Sequence, residues 1–111
     1  AQVFYPGLPE HAGHALWQRD CSGGNGLLAF ELHPQTGEAA ARRMVDSLQL
    51  FGIGASWGGY ESVGGLDDLA PSRSVASWSG RGLVIRLHIG QEDSGDLQAD
   101  LAQGFARLAG A

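Results

Sequence analysis

Apolar residues fall three and four apart at Ala41, Met44, Val45 and Leu48, and again at Leu97, Leu101, Phe105 and Leu108. That spacing gathers side chains on one face of an α-helix. The first set predicts a helix from Thr36, taken as its N-cap, to about Gln49, with Glu38 in the first turn matching the helix dipole. The second predicts a helix that Asp93 or Ser94 caps and that runs to about Leu108. A shorter helix is predicted over His11–Arg19, weakened by Gly13, with Leu16 and Trp17 facing inward. Strands are predicted at Leu27–Leu32, Leu50–Ser56, Tyr60–Val63 and, most clearly, Leu83–Ile89. Before all of these, Pro6, Gly7 and Pro9 break any helix, so the chain's start is expected as an extended tether. From Gly64 to Gly82 no pattern is visible, and a stretch of that length either hides short elements or lines a surface outside this chain. Trp78, within it, is expected to be anchored against the domain. Strands joined partly by turns and partly through helices predict an α+β two-layer sandwich, a mainly antiparallel sheet of about four strands with the helices on one face.

Composition narrows the possibilities. At 111 residues and 43% hydrophobic the chain is expected to be one domain, residues 1–111, with a modest core. Its formal charge of −5 and scattered arginines exclude a nucleic-acid partner. No apolar run approaches the roughly 18 residues of a membrane span, and no basic-then-apolar leader is visible, so no membrane partner is expected. The lone Cys21 excludes an internal disulfide and agrees with a reducing cytoplasm. There is no lysine at all, which removes Schiff-base chemistry from this chain's own repertoire.

The chemistry-bearing stretch is F-G-I-G-A-S-W-G-G-Y-E-S, Phe51 to Ser62. An apolar run ends in a turn that presents Ser56 and Trp57 ahead of Gly58 and Gly59. Arg86, alone in the apolar run L-V-I-R-L-H-I, needs an anion. Taken by itself it is equally a buried structural ion pair or a ligand grip. Ser56, Trp57 and Arg86 are read as one wall of a pocket for a small carboxylate. His88, on Arg86's side of the strand, is read as a packed, hydrogen-bonded histidine over a general base. Glu61 is assigned to the turn. His11 and His14 share a helix face without a third ligand and are read as solvated surface residues, so no metal is expected. The loop C-S-G-G-N-G, Cys21 to Gly26, lacks the Lys-Ser/Thr ending of a phosphate cradle and is read as a turn.

Three segments together carry a resemblance: Y-P-G-L-P-E-H-A-G-H at Tyr5–His14, L-F-G-I-G-A-S-W-G-G-Y-E-S at Leu50–Ser62, and L-V-I-R-L-H-I-G-Q-E-D at Leu83–Asp93. In order and spacing they resemble the C-terminal domain of the cystathionine β-lyases, in the Cys/Met-metabolism group of fold-type I pyridoxal-phosphate enzymes. The resemblance implies that Arg86 takes a substrate α-carboxylate by a two-pronged hydrogen bond, with Ser56 and the backbone at Trp57 completing the grip. It also implies that pyridoxal 5'-phosphate and its lysine belong to a cofactor-binding domain absent from this chain. No catalytic or cofactor-binding residue is then expected here, and the chain alone is expected to be inactive. For the complete enzyme it implies α,β-elimination from cystathionine, giving homocysteine, pyruvate and ammonia in methionine biosynthesis, and a homo-oligomer. Ala55 departs from the bulky or polar residue usual before the serine, which leaves a γ-synthase or γ-lyase as the alternative. A free-standing small-molecule-binding or interaction module is the reading from another class.

Overall fold

The chain forms, in order, β1 (Gln2–Phe4), α1 (His14–Asp20), β2 (Leu27–Glu31), α2 (Glu38–Ser47), β3 (Gly52–Ile53), β4 (Val63–Asp67), a 3₁₀ turn (Ala70–Ser72), β5 (Val84–His88) and α3 (Ser94–Ala109). These come from a computed structural model that describes residues 2–109. The five strands make one sheet in the order β1-β2-β5-β4-β3, antiparallel throughout except for the parallel pair β3 and β4. The architecture is the α+β arrangement expected, with five strands where about four were predicted.

Strand β5 lies at the centre because alternate side chains suit it to burial. Ile85 and Leu87, 0% and 1% exposed, point to the face covered by α2 and α3, where Leu32, Ala41, Met44, Val45, Phe51 and Leu97 complete the core. Each of these buried side chains larger than alanine contributes about 1.5–3 kcal/mol through removal of apolar surface from water. Both long helices hold the stripes that periodicity predicts. Asp93 caps α3, its Oδ2 accepting the Asp96 N–H at 3.0 Å. For α2 the cap is Gly37, without a side-chain bond, and Thr36 instead closes a turn on His33. Between β2 and α3 an apolar groove of about 480 Å³ stays open, lined among others by Val3, Phe30, Leu101 and Phe105.

Three expectations need correction. The supposed tether contains β1, an edge strand whose exposed residues give no burial pattern to read. The strand expected at Tyr60–Val63 lies instead at Val63–Asp67, and β3 is shortened to two residues. In β4 the sequence V-G-G-L-D has too few side chains for a period of two, and pairing along β5 defines it instead. Finally, α1 buries no residue, and Leu16 is 58% exposed. Trp17 stacks on His14 at 5.5 Å, and His14 Nδ1 and His11 Nδ1 bond the Pro6 carbonyl and the Gly13 N–H, so these half-buried histidines are locally engaged, not freely solvated. Among the described residues no His/Cys/Asp/Glu group is placed to hold a metal ion, and no helix is long and apolar enough to cross a membrane.

The unpatterned connection before β5 is fastened at the Phe4–Glu31 end of the sheet. Trp78 is 7% exposed, its indole N–H donates to Gly82 O at 2.9 Å, and the Arg81 guanidinium stacks over it at 3.7 Å. Arg81 in turn pairs with Glu31 at 2.6 Å, and Glu31 also accepts the Gly82 N–H. The expected anchoring of Trp78 is therefore met by a stack of cation, ring and carboxylate.

Candidate functional site

Because β3 and β4 run parallel, the chain leaving Ile53 must travel back along the pair before β4 can start at Val63. That return path is Gly54–Ser62, and β5 with its exit turn meets it at successive points. Arg86 Nη2 donates to the Ala55 carbonyl at 2.7 Å and lies 3.4 Å from the Ser56 carbonyl. Two residues on, His88 Nε2 stands 3.0 Å from Gly59 O and 3.1 Å from Gly59 N. Past the strand's end, the Gln91 N–H donates to Tyr60 O at 2.8 Å. Ser62, 1% exposed, closes the path: its hydroxyl donates to Glu92 Oε1, its N–H donates to Oε2, and its Oγ accepts the Gly90 N–H. The Ser62 N–H and hydroxyl hold the Glu92 carboxyl below the usual carboxylate range. The reversal itself passes through Gly58 at φ +84°, a left-handed conformation that glycine adopts without a Cβ penalty.

Arg86 has room because its sheet neighbours are small. Its register partners are Ala29 on β2 and Gly65 on β4, and its head borders a cavity of about 320 Å³ with Gly54, Ala55 and Asp67. Among the described residues it forms no ion pair with any carboxylate; its hydrogen bonds go only to carbonyls. A guanidinium so placed retains donors for an incoming anion.

Of the three residues singled out from sequence, Arg86 and the Ser56 backbone come together. Ser56 and Trp57 also line a neighbouring hollow of about 160 Å³ with His88, and Trp57 is 62% exposed. The Ser62–Gly90–Glu92 knot went unnoticed in the sequence. Glu61, assigned to the turn, makes no side-chain hydrogen bond among the described residues, and Glu92 does that work. The signal available was the G-Q-E-D turn directly after β5, which returns acceptors to whatever the strand's end touches.

A family model for Cys/Met metabolism PLP-dependent enzymes matches residues 1–106. The chain belongs to this family. It is 49% identical over 111 residues to a cystathionine beta-lyase of Bordetella avium, covering 97% of this chain and 27% of that protein. It is 40% identical over 108 residues to an L-alanine/L-glutamate racemase of Wolbachia pipientis, covering 96% and 27%. Its fold matches a crystal structure of cystathionine gamma synthase from Xanthomonas oryzae pv. oryzae in complex with cystathionine, at a TM-score of 0.80 and 36% identity, covering 98% of this chain and 29% of that one. This member of the Cys/Met metabolism PLP-dependent enzymes thus spans little more than a quarter of the relatives it matches.

The family implies pyridoxal phosphate, which its enzymes bind through a lysine imine. The residues of this chain do not fit that group by themselves, since none is a lysine and the cavity at Arg86 is lined by an arginine pair, acids and small or apolar residues. What they can do chemically is orient a carboxylate beside the Ala55–Ser56 carbonyls.

Proposed function

We propose that this chain is the substrate-carboxylate domain of a cytoplasmic, homo-oligomeric PLP-dependent carbon–sulfur lyase of the cystathionine β-lyase kind, with the cofactor and its lysine carried by a domain outside these residues. Arg86 grips the substrate's α-carboxylate, and the Ser56–Trp57 corner supports and walls it. The observation that carries this reading is a guanidinium with no carboxylate partner, beside small neighbours, at an open cavity. The named relatives eliminate, replace or racemise, so what a shared terminal domain can do for all of them is hold the amino acid's invariant acid group. The exposed Trp57 and Tyr60, 62% and 71% accessible, support a face that a further domain covers. Without a lysine the chain alone is inactive.

The test is Arg86→Lys in the complete enzyme. A lysine ammonium cannot reproduce the two-pronged fork, and losing one charge-assisted bond of about 1.5–3 kcal/mol lowers kcat/KM for cystathionine by roughly 10- to 100-fold. Unchanged efficiency overturns the assignment. Similarity to a γ-synthase and a γ-lyase supports a second reading, a γ-synthase or γ-lyase, between which and the β-lyase Ala55 does not decide. Pyruvate as the product from cystathionine supports the β-lyase; 2-oxobutyrate supports the alternative.

A further inference from the structure

We propose that His88 is a positioning residue: it clamps the Trp57–Tyr60 reversal at Gly59, so that Arg86 can turn from the Ala55 carbonyl to a substrate carboxylate while the loop stays in place. This rests on the carboxylate-grip reading above. Arg86 and His88 project from the same face of β5 and hold the two ends of one five-residue segment, Ala55 by the guanidinium and Gly59 by the imidazole. The first tether is the one that substrate competes for, because the same Nη2 that bonds the Ala55 carbonyl faces the cavity. The second is not, since His88 borders the neighbouring hollow and does not line the cavity at the Arg86 head.

The imidazole has little freedom. Its register partners are Leu27 and Val63, and a methyl added at Gly26 would stand 3.5 Å from its Cε1, so the ring lies close against that backbone. Nδ1 is buried without a hydrogen-bond partner. Nε2 faces both polar atoms of Gly59: its lone pair accepts the Gly59 N–H at 3.1 Å in one tautomer, and in the other its proton goes to Gly59 O at 3.0 Å, so either form of the ring fastens Gly59. The clamp is needed because Gly58 at φ +84° and Gly59 have no side chain to hold them; a Cβ built on either meets nothing within 4 Å.

Two measurements with His88→Leu and His88→Gln test this. The leucine removes the polar ring atom, and the glutamine amide restores an acceptor oxygen and an N–H donor near the Nε2 position. Amide hydrogen exchange on the 111-residue chain reads the clamp without substrate: in His88→Leu the Trp57–Tyr60 amides exchange about 10-fold faster while the Ile85 and Leu87 amides keep their rates, and His88→Gln returns most of the protection. In the complete enzyme the leucine variant raises KM for cystathionine about 10-fold with kcat within about 2-fold, and glutamine rescues KM. Loop exchange unchanged in His88→Leu overturns the clamp, whatever Arg86 does. Faster exchange with an unmoved KM overturns its link to substrate. Should the leucine variant fail to fold, His88→Gln decides alone: wild-type protection at Gly59 supports the proposal, and loss of it refutes it. An inert Arg86→Lys with faster loop exchange in His88→Leu would instead locate the failure in the carboxylate-grip reading.

Discussion

Gly58 and Gly90 serve the same loop for different reasons, and the two separate experimentally. A Cβ on Gly58 meets nothing, so Gly58→Ala suffers only the left-handed backbone, about 1–2 kcal/mol. A Cβ on Gly90 runs into the Tyr60 carbonyl and stands 2.6 Å from Glu61 C and Ser62 N, all main-chain atoms that cannot swing aside. Gly90→Ala must therefore push the return path off the strand and break the Ser62–Glu92 knot. Urea unfolding of the 111-residue chain should show the larger loss for Gly90→Ala, with altered Trp57 fluorescence that Gly58→Ala lacks. Equal losses with unchanged fluorescence would contradict this account of Gly90. At this scale Arg86 was legible, because a charge inside an apolar strand stands out in any sequence. Glu92 was not, because an acid in a polar turn looks the same whether its oxygens bond water or a buried serine.

Among the elements, β5, α2 and α3 were legible because each buries one face and leaves a period in the sequence. Strands β1 and β4 lacked that mark, one for exposure and the other for its glycines. The connection from Asp68 to Leu83 shows how order arises without period. One indole packs on Phe4's side of the sheet, with the Phe4 ring at 6.1 Å and two guanidiniums, Arg73 and Arg81, over the ring. Trp78→Ala leaves that face open and strands the Gly82 carbonyl, at a cost of about 3–5 kcal/mol. Trp78→Phe keeps most of the packing and loses the single N–H bond, about 1 kcal/mol. Chemical denaturation of both variants measures the difference. If alanine cost no more than phenylalanine, the connection would be held by something other than this ring.

Across the whole molecule, three carboxylates each fasten a segment that carries no regular structure. Glu31 accepts the Gly82 N–H on the connection before β5, Glu92 accepts the Ser62 N–H at the end of the candidate loop, and buried Asp100 accepts the Gln49 and Leu50 N–H groups where α2 passes to β3. All three lie below their ordinary values. The Arg81 guanidinium does most for Glu31, and the Ser62 N–H for Glu92; at Asp100 burial pushes upward but is outweighed by the Gln49, Leu50 and Gln103 donors. A carboxyl depressed in the folded chain stabilises it fully above the unfolded value, 4.5 for Glu and 3.8 for Asp, and loses that contribution as pH falls through the folded value. Stability is therefore expected to hold from neutrality down to about pH 5 and to decline steeply below pH 4 as these fastenings are protonated. Asp100→Asn supplies one acceptor oxygen where two were in use, costing about 1.5–3 kcal/mol at pH 7. The diagnostic is convergence. Urea unfolding free energies of parent and Asp100→Asn, followed from pH 7 to pH 2.5, should approach one another in acid, because the parent loses there what the variant never had. A gap that stays constant with pH would mean that the Asp100 charge contributes nothing beyond its shape, and that the passage from α2 to β3 is held by packing alone.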